Sequence, residues 1–85
     1  MPQRRYGKFH VWVYTRNERG HRPHVHVLAG GGKISIYIDG PIEVRAIEGL
    51  SKTDARRALE VVAEHAGELL ALWRLYNGEN RAPDR

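Results

Sequence analysis

Hydrophobic and polar residues alternate with a period of two through much of the first half of the chain, a pattern typical of half-buried β-strands. Four segments carry it: residues 9–15, 24–28, 33–39 and 42–47. Turns rich in glycine, proline or polar residues separate these segments, and the connections are too short for the crossovers that parallel strands need. The sequence therefore predicts an antiparallel meander of about four strands.

After Gly49 the hydrophobic period changes to between three and four residues, which indicates a helix. Ser51 followed by Asp54 predicts an N-cap with an acid in the first turn, and Asn77-Gly78 predicts the end. Gly67 is a position where the helix could bend. The apolar stripe consists of Ala55, Leu59, Val62, Ala66, Leu69, Trp73 and Tyr76.

A stripe of this kind could form a coiled-coil dimer or cover one face of the sheet. Covering is favoured because the apolar face of the meander needs a second layer. The predicted fold class is therefore α+β, with one long C-terminal amphipathic helix packed on one face of the sheet. The 85 residues allow one domain, predicted over residues 1–78, with a frayed tail over residues 79–85.

Composition excludes several functional classes. The chain has no cysteine, which rules out a disulfide framework, a thiolate nucleophile and any Cys-ligated metal site. It has no apolar stretch long enough to cross a membrane and no apolar core of a signal peptide. We expect a cytoplasmic protein with no membrane partner, and the sequence predicts no cofactor.

Positive charge is concentrated in the N-terminal part. The chain has 14 Lys and Arg, 10 Asp and Glu, and a net charge of +4. Residues 1–33 contain seven of the cations and a single acid, Glu18, so this part alone carries +6. Such a patch suggests a polyanion or an acidic partner, although it is also compatible with an ordinary solvated surface.

Rings cluster on the side of the predicted sheet that faces away from the helix. We call this surface the histidine face. Pairing the first two strands so that their apolar sides agree places Trp12 opposite His26 and Tyr14 opposite His24. Its predicted members are His10, Trp12, Tyr14, His24, His26, Ser35 and Tyr37.

The histidine face has three uses that fit its chemistry. Its rings could stack on unpaired RNA bases while Arg16, Arg19 and Arg22 hold phosphates. Imidazoles could act as general acid and base in metal-independent RNA cleavage, with His21, His24 and His26 as catalytic candidates. The face could also pair with another protein chain. Alternatively, Trp12 and Tyr14 simply fill a second small core.

The sharpest local motif is His21-Arg22-Pro23-His24-Val25-His26-Val27. Two histidines separated by one residue on a strand share a face, so His24 and His26 could chelate a metal. Two ligands do not complete a site, and the chain has neither an HExxH motif nor a finger spacing. No metal site is predicted; if a metal binds, these two histidines are its ligands.

Together these motifs resemble the bacterial domain of unknown function 4160. The resemblance runs from about Lys8 to Gly78 and includes the histidine motif, Leu50-Ser51, Glu64-His65 and the stretch from Leu69 to Trp73. The chain departs from the family pattern in having a single proline in the motif and Val25 in place of an aromatic residue. The resemblance implies a small bacterial protein that is half of a two-gene toxin–antitoxin pair, and it implies no established chemistry.

These observations lead to three functional hypotheses. The first is a toxin–antitoxin-type component that binds RNA, with cleavage left open, so the residues do not decide whether the protein is an enzyme. The second is a non-catalytic interaction module or homo-oligomer that uses the same face. The third is a metal-binding protein that uses His24 and His26. The corresponding partners are RNA, a small acidic protein encoded nearby and a second copy of the chain.

Overall fold

The computed structural model describes residues 3–13 and 22–77, which form a five-stranded sheet followed by two helices. All neighbouring strands are antiparallel, and their order in the sheet is their order in the chain. This confirms the α+β class and the antiparallel meander. The elements are β1 (Gln3–Tyr6), β2 (Phe9–Trp12), β3 (His24–Ala29), β4 (Gly32–Tyr37), β5 (Glu43–Glu48), α1 (Lys52–Glu64) and α2 (Ala66–Asn77).

The prediction of four strands was wrong by one, because β1 precedes them. Residues 3–5 are polar and exposed, so they show no alternation that would indicate a strand. The strand forms because Gly7, with a φ of 61°, turns the chain back so that Tyr6 pairs with Phe9. An edge strand needs one paired neighbour and no apolar face of its own, which is why hydrophobic patterning misses it.

The apolar side of the sheet faces the helices, as predicted. Val11 pairs with Val27, which in turn pairs with Ile34, and all three are fully or almost fully buried. Helix α1 packs chiefly on β4 and β5, and α2 packs on β3. The helices contribute four buried residues to the core: Ala58, Val62, Leu69 and Trp73.

The prediction of one long helix was also wrong in detail, because the helix is interrupted at His65. The N-cap is confirmed: the backbone N–H of Asp54 donates to Ser51 Oγ over 3.1 Å. His65 adopts φ −112° and ψ 19°, outside the helical range, while its carbonyl still accepts from the N–H of Leu69. The break lies two residues before Gly67.

A contact with the edge strand accompanies this break. The ring of Tyr6 in β1 stacks on the His65 ring at 4.0 Å between centroids. Arg4, also in β1, forms a 3.0 Å ion pair with Glu68 in the first turn of α2. The strand that sequence patterning misses therefore contacts the helix at the position where its predicted continuity fails. In the described part of the chain, neither helix is long and apolar enough to span a membrane.

Candidate nucleic-acid interface

Six of the seven predicted members of the histidine face lie in the described residues, and they share the sheet surface opposite the helices. Trp12 pairs directly with His26, which confirms that part of the predicted register. His24 pairs with Tyr37, and His26 also pairs with Ser35 on its other side. The predicted candidates Tyr14, Arg16, Arg19 and His21 lie outside the described residues.

An edge-to-face ring pair lies at the β2 end of the histidine face. The His10 ring meets the Trp12 ring at 5.4 Å between centroids and an angle of 84°. The His10 ring nitrogen Nε2 is hydrogen-bonded to the side-chain oxygen of Gln3 in β1, which helps to fix the ring. Both rings are partly exposed, so a planar ligand could reach them.

His24 is held inside the protein. Its side chain is only 3% exposed, and its Nδ1–H donates to the carbonyl oxygen of Arg22 over 2.8 Å. A carbonyl can only accept, so this bond fixes the proton on Nδ1. The ring lies 5.1 Å from the His26 ring and 6.3 Å from the Tyr37 ring. His24 therefore positions the start of β3, and a ligand could reach it only after local movement.

Arg22 is held by protein groups. Its guanidinium lies 4.0 Å from the centre of the Tyr37 ring and donates to Asp39 through Nη2 at 2.9 Å and Nε at 3.2 Å. Glu43 approaches it at 3.7 Å. The hydrogen bond from Arg22 holds the pKa of Asp39 below its usual value. A phosphate bound by Arg22 would therefore have to displace a carboxylate.

His26 lies in the middle of the face and is partly buried. Its Nδ1 is hydrogen-bonded to Ser35 Oγ at 3.1 Å. Burial lowers the pKa of His26, and the nearby His24, Arg45 and Lys33 act in the same direction, so that together they bring it from 6.5 to about 4. At neutral pH the His26 ring is therefore uncharged and a weak base.

Three cations that the sequence did not single out lie along the histidine face. Arg5 pairs with His10, Lys33 follows the same alternation as Ser35, and Arg45 acts electrostatically on His26. The alternation of β4 was enough to find Lys33. Alternation could not place Arg45, because β5 contains one extra residue at this point. Ser35 of β4 pairs with Ala46, and the next residue of β4 pairs with Val44, so Arg45 lies between two paired positions.

The family model of the domain of unknown function 4160 (DUF4160) matches residues 8–74, which include β2 to β5, α1 and most of α2. The chain belongs to this family. No curated protein and no solved structure matches the chain.

The metal hypothesis receives no third ligand from the described part of this DUF4160 protein. Among those residues, no group of three or more histidines and carboxylates is placed to hold a metal ion. His24 also uses its Nδ1–H for the Arg22 carbonyl, so Nε2 is the nitrogen it could offer to a metal. The pair His24 and His26 therefore remains two ligands without a described third.

The lowered pKa of His26 predicts an acid-sensitive stability. The folded state binds this proton less readily than the unfolded chain, whose histidine titrates near 6.5. The contribution of uncharged His26 to the free energy of unfolding is therefore complete above about pH 6.5 and is lost as the pH falls towards about 4. Because the ring is only partly buried, solvent screening reduces the expected loss to about 1–2 kcal/mol.

Urea unfolding of the parent DUF4160 chain and of His26→Gln between pH 7 and 4 measures this contribution of His26 to the stability. The parent should lose about 1–2 kcal/mol more than the variant over that interval. His10→Gln serves as the control, since it removes a histidine from the same face and should keep the loss seen in the parent. Parallel curves for the parent and His26→Gln would contradict the assignment.

Proposed function

We propose that this protein is a small, cytoplasmic, bacterial component of a toxin–antitoxin-type pair, and that it binds single-stranded RNA through the histidine face. One observation carries the proposal. The rings of Trp12 and His26 lie opposite each other on adjacent strands, and Arg45 and Lys33 are close enough to add to the effect of burial in lowering the pKa of His26. A ring platform within a positive field is what single-stranded nucleic acids bind.

The platform offers two kinds of contact. Trp12 is partly exposed and presents ring surface on which an unpaired base can stack, whereas the Arg22 guanidinium lies over the Tyr37 ring. Arg5, Lys33 and Arg45 supply charge for the phosphates. Lys33 shares its charge with Glu48 at 3.6 Å, whereas Arg45 has no ion pair among the described residues. Arg5 has none among these residues either, so Arg5 and Arg45 are the cations most available to a phosphate.

The geometry favours binding over cleavage. Metal-independent cleavage of RNA by two histidines needs an acid and a base that exchange protons near neutral pH. His26, with a pKa of about 4, is a poor general acid at pH 7, and His24 is buried with its Nδ1–H hydrogen-bonded to the backbone. The two imidazoles therefore act in this proposal as ring surface and as structural support.

Removal of the Trp12 ring tests the proposal most directly. Fluorescence anisotropy with a labelled single-stranded RNA of about 12 nucleotides measures the affinity. Trp12→Ala should weaken binding about tenfold or more, since a stacked base contributes about 1–3 kcal/mol. Tyr76→Ala removes a half-exposed ring from α2, outside the histidine face, and should leave the affinity unchanged.

Salt dependence supplies the electrostatic part of the same test. The affinity of the parent should fall steeply with salt, and Arg45→Gln should reduce that slope by about 0.7, the contribution of one phosphate on a single strand. Lys52→Gln removes an exposed cation at the start of α1 and should not change the slope.

Two results would overturn the RNA proposal: no binding by the parent at low salt, or equal affinities for the parent and Trp12→Ala. A salt-insensitive complex with a protein would favour the interaction module instead. In bacteria, expression of the parent should arrest growth, and Trp12→Ala should not. Co-expression of a small acidic protein encoded beside the gene should relieve the arrest, and harmless expression of the parent would contradict the toxin role.

A further inference from the structure

Strand β5 ends the sheet on one side, and no described strand pairs with its outer edge. Every residue of Glu43–Glu48 is exposed. Val44 is 44% exposed and Ile47 is 49% exposed, although they pair with the buried residues Ile36 and Ile34. These two side chains therefore continue the apolar side of the sheet past the area that the helices cover.

The bulge at Arg45 gives β5 an unusual order of faces. Val44 and Ile47 lie on the helix side although they are three residues apart, because Arg45 is inserted between the paired positions. In such a bulge two residues oppose one, so Arg45 and Ala46 lie together opposite Ser35, on the side of the histidine face. Glu43 and Glu48, paired with Tyr37 and Lys33, lie on that side as well.

The order of faces along β5 is therefore the same in both directions. The first and last residues and the two central ones lie on the histidine side, and Val44 and Ile47 lie on the helix side, so the order is the same from either end. A strand with this symmetry can pair antiparallel with itself and keep every side chain on the correct face.

We propose that two copies of this chain associate through β5 in an antiparallel pair, around a two-fold axis perpendicular to the sheet. The product is one continuous ten-stranded sheet with all helices on the same side. In this register Val44 lies opposite Ile47 of the second copy, so four exposed apolar side chains meet at the seam. Arg45 lies opposite Ala46 of the second copy.

The charges of the edge fit this register. Glu43 lies opposite Glu48 of the second copy, but each carboxylate already has a cation beside it: Arg22 at 3.7 Å and Lys33 at 3.6 Å. Arg45, which has no ion pair among the described residues, lies diagonally from Glu48 of the second copy, and such diagonal neighbours are within reach of a long side chain.

A six-residue edge strand gives a small interface of about 20 Å in length. An interface of that size is typical of weak association, so a dissociation constant in the micromolar range is expected. The proposal does not depend on RNA binding. If both hold, the dimer presents two histidine faces side by side on one sheet.

Disulfide cross-linking tests the register, because the chain has no cysteine of its own. In the proposed pair the two Ala46 Cα atoms lie about 6 Å apart, on the same face, a separation that a disulfide can bridge. Ala46→Cys should therefore oxidise rapidly to a covalent dimer. Leu75→Cys, at a position on α2 that is 61% exposed, measures cross-linking by random collision and should be slower by about tenfold or more.

Sedimentation of the full chain without RNA tests the association itself. The parent should shift from monomer to dimer as its concentration rises to about 100 μM. Ile47→Lys places a charge against Val44 of the second copy and should raise the dissociation constant at least about tenfold. Leu75→Lys adds the same charge outside β5 and should leave the dissociation constant unchanged.

Because Ile47 and Val44 are half-exposed, their replacement should not prevent folding, and circular dichroism checks this. A parent that stays monomeric at all concentrations would overturn the proposal, as would a dimer that Ile47→Lys and Val44→Lys leave intact. Cross-linking of Ala46→Cys no faster than of Leu75→Cys would do the same. A monomer that binds RNA in a Trp12-dependent way would contradict the dimer and leave the proposed function standing.

Discussion

Replacing Gly32 with alanine should strongly destabilise the protein. A Cβ at this position would lie 2.4 Å from the backbone carbon and oxygen of Gly49 and 2.8 Å from the Glu48 carbonyl oxygen. All three are backbone atoms, so no flexible side chain can move away to relieve the contact. The first residue of β4 and the residue after β5 would have to separate, which breaks the pairing at that end of the sheet.

We expect Gly32→Ala to lower the free energy of unfolding by about 3 kcal/mol or more, the upper range for forced overpacking. That is a large share of the total stability of a small domain. Urea unfolding followed by circular dichroism measures the change. Gly40→Ala is the matched control, because a Cβ there would have no atom within 4 Å. Equal unfolding midpoints for the two variants would show that the close approach of Gly32 and Gly49 does not constrain the fold.

Leu69→Ala should have an effect of similar size through a different mechanism. Leu69 is completely buried in α2, and this helix packs on β3, the strand that carries His24 and His26. Truncation removes apolar contacts and leaves a cavity that the surrounding core can fill only in part. Substitutions of this kind cost about 2–5 kcal/mol.

The same unfolding experiment, with Leu75→Ala as control, separates burial from helix propensity. Leu75 lies in the same helix but is 61% exposed, so its truncation should change the stability by about 0.5 kcal/mol or less. A comparable loss for both variants would mean that α2 is stabilised by its own propensity and not by packing on the sheet. Loss of RNA binding in Leu69→Ala at a temperature where the variant remains folded would show that α2 supports the histidine face.

Hydrophobic patterning was sufficient to predict the central sheet and its two faces. Alternation fixes on which side of a strand each residue lies, because successive side chains point to opposite faces. Matching the apolar sides of two neighbouring strands then leaves few registers. This is why the pairing of Trp12 with His26 could be predicted and is confirmed by the structure. The N-cap at Ser51 is equally local, since it needs only the backbone N–H of Asp54 three residues later.

The two errors in the predicted fold arose at places where the local sequence pattern gives no clear signal. Strand β1 has an exposed, polar sequence, and only its pairing with β2 makes it a strand. The interruption at His65 has no strong local signal, and Gly67 indicated only its neighbourhood. At this break the His65 ring stacks on Tyr6, a residue distant in the chain.

The sequence by itself determined the antiparallel meander, the side on which the helices pack and, within the described residues, the rings on the histidine face, because each follows from periodicity along a single element. Only the tertiary structure decided what those groups can do. Asp39 is hydrogen-bonded to Arg22, His24 is buried, and burial together with the nearby Arg45 and Lys33 lowers the pKa of His26. Burial and electrostatic contact depend on residues brought together from several strands, and the bulge at Arg45 reverses the alternation on which the sequence argument rests.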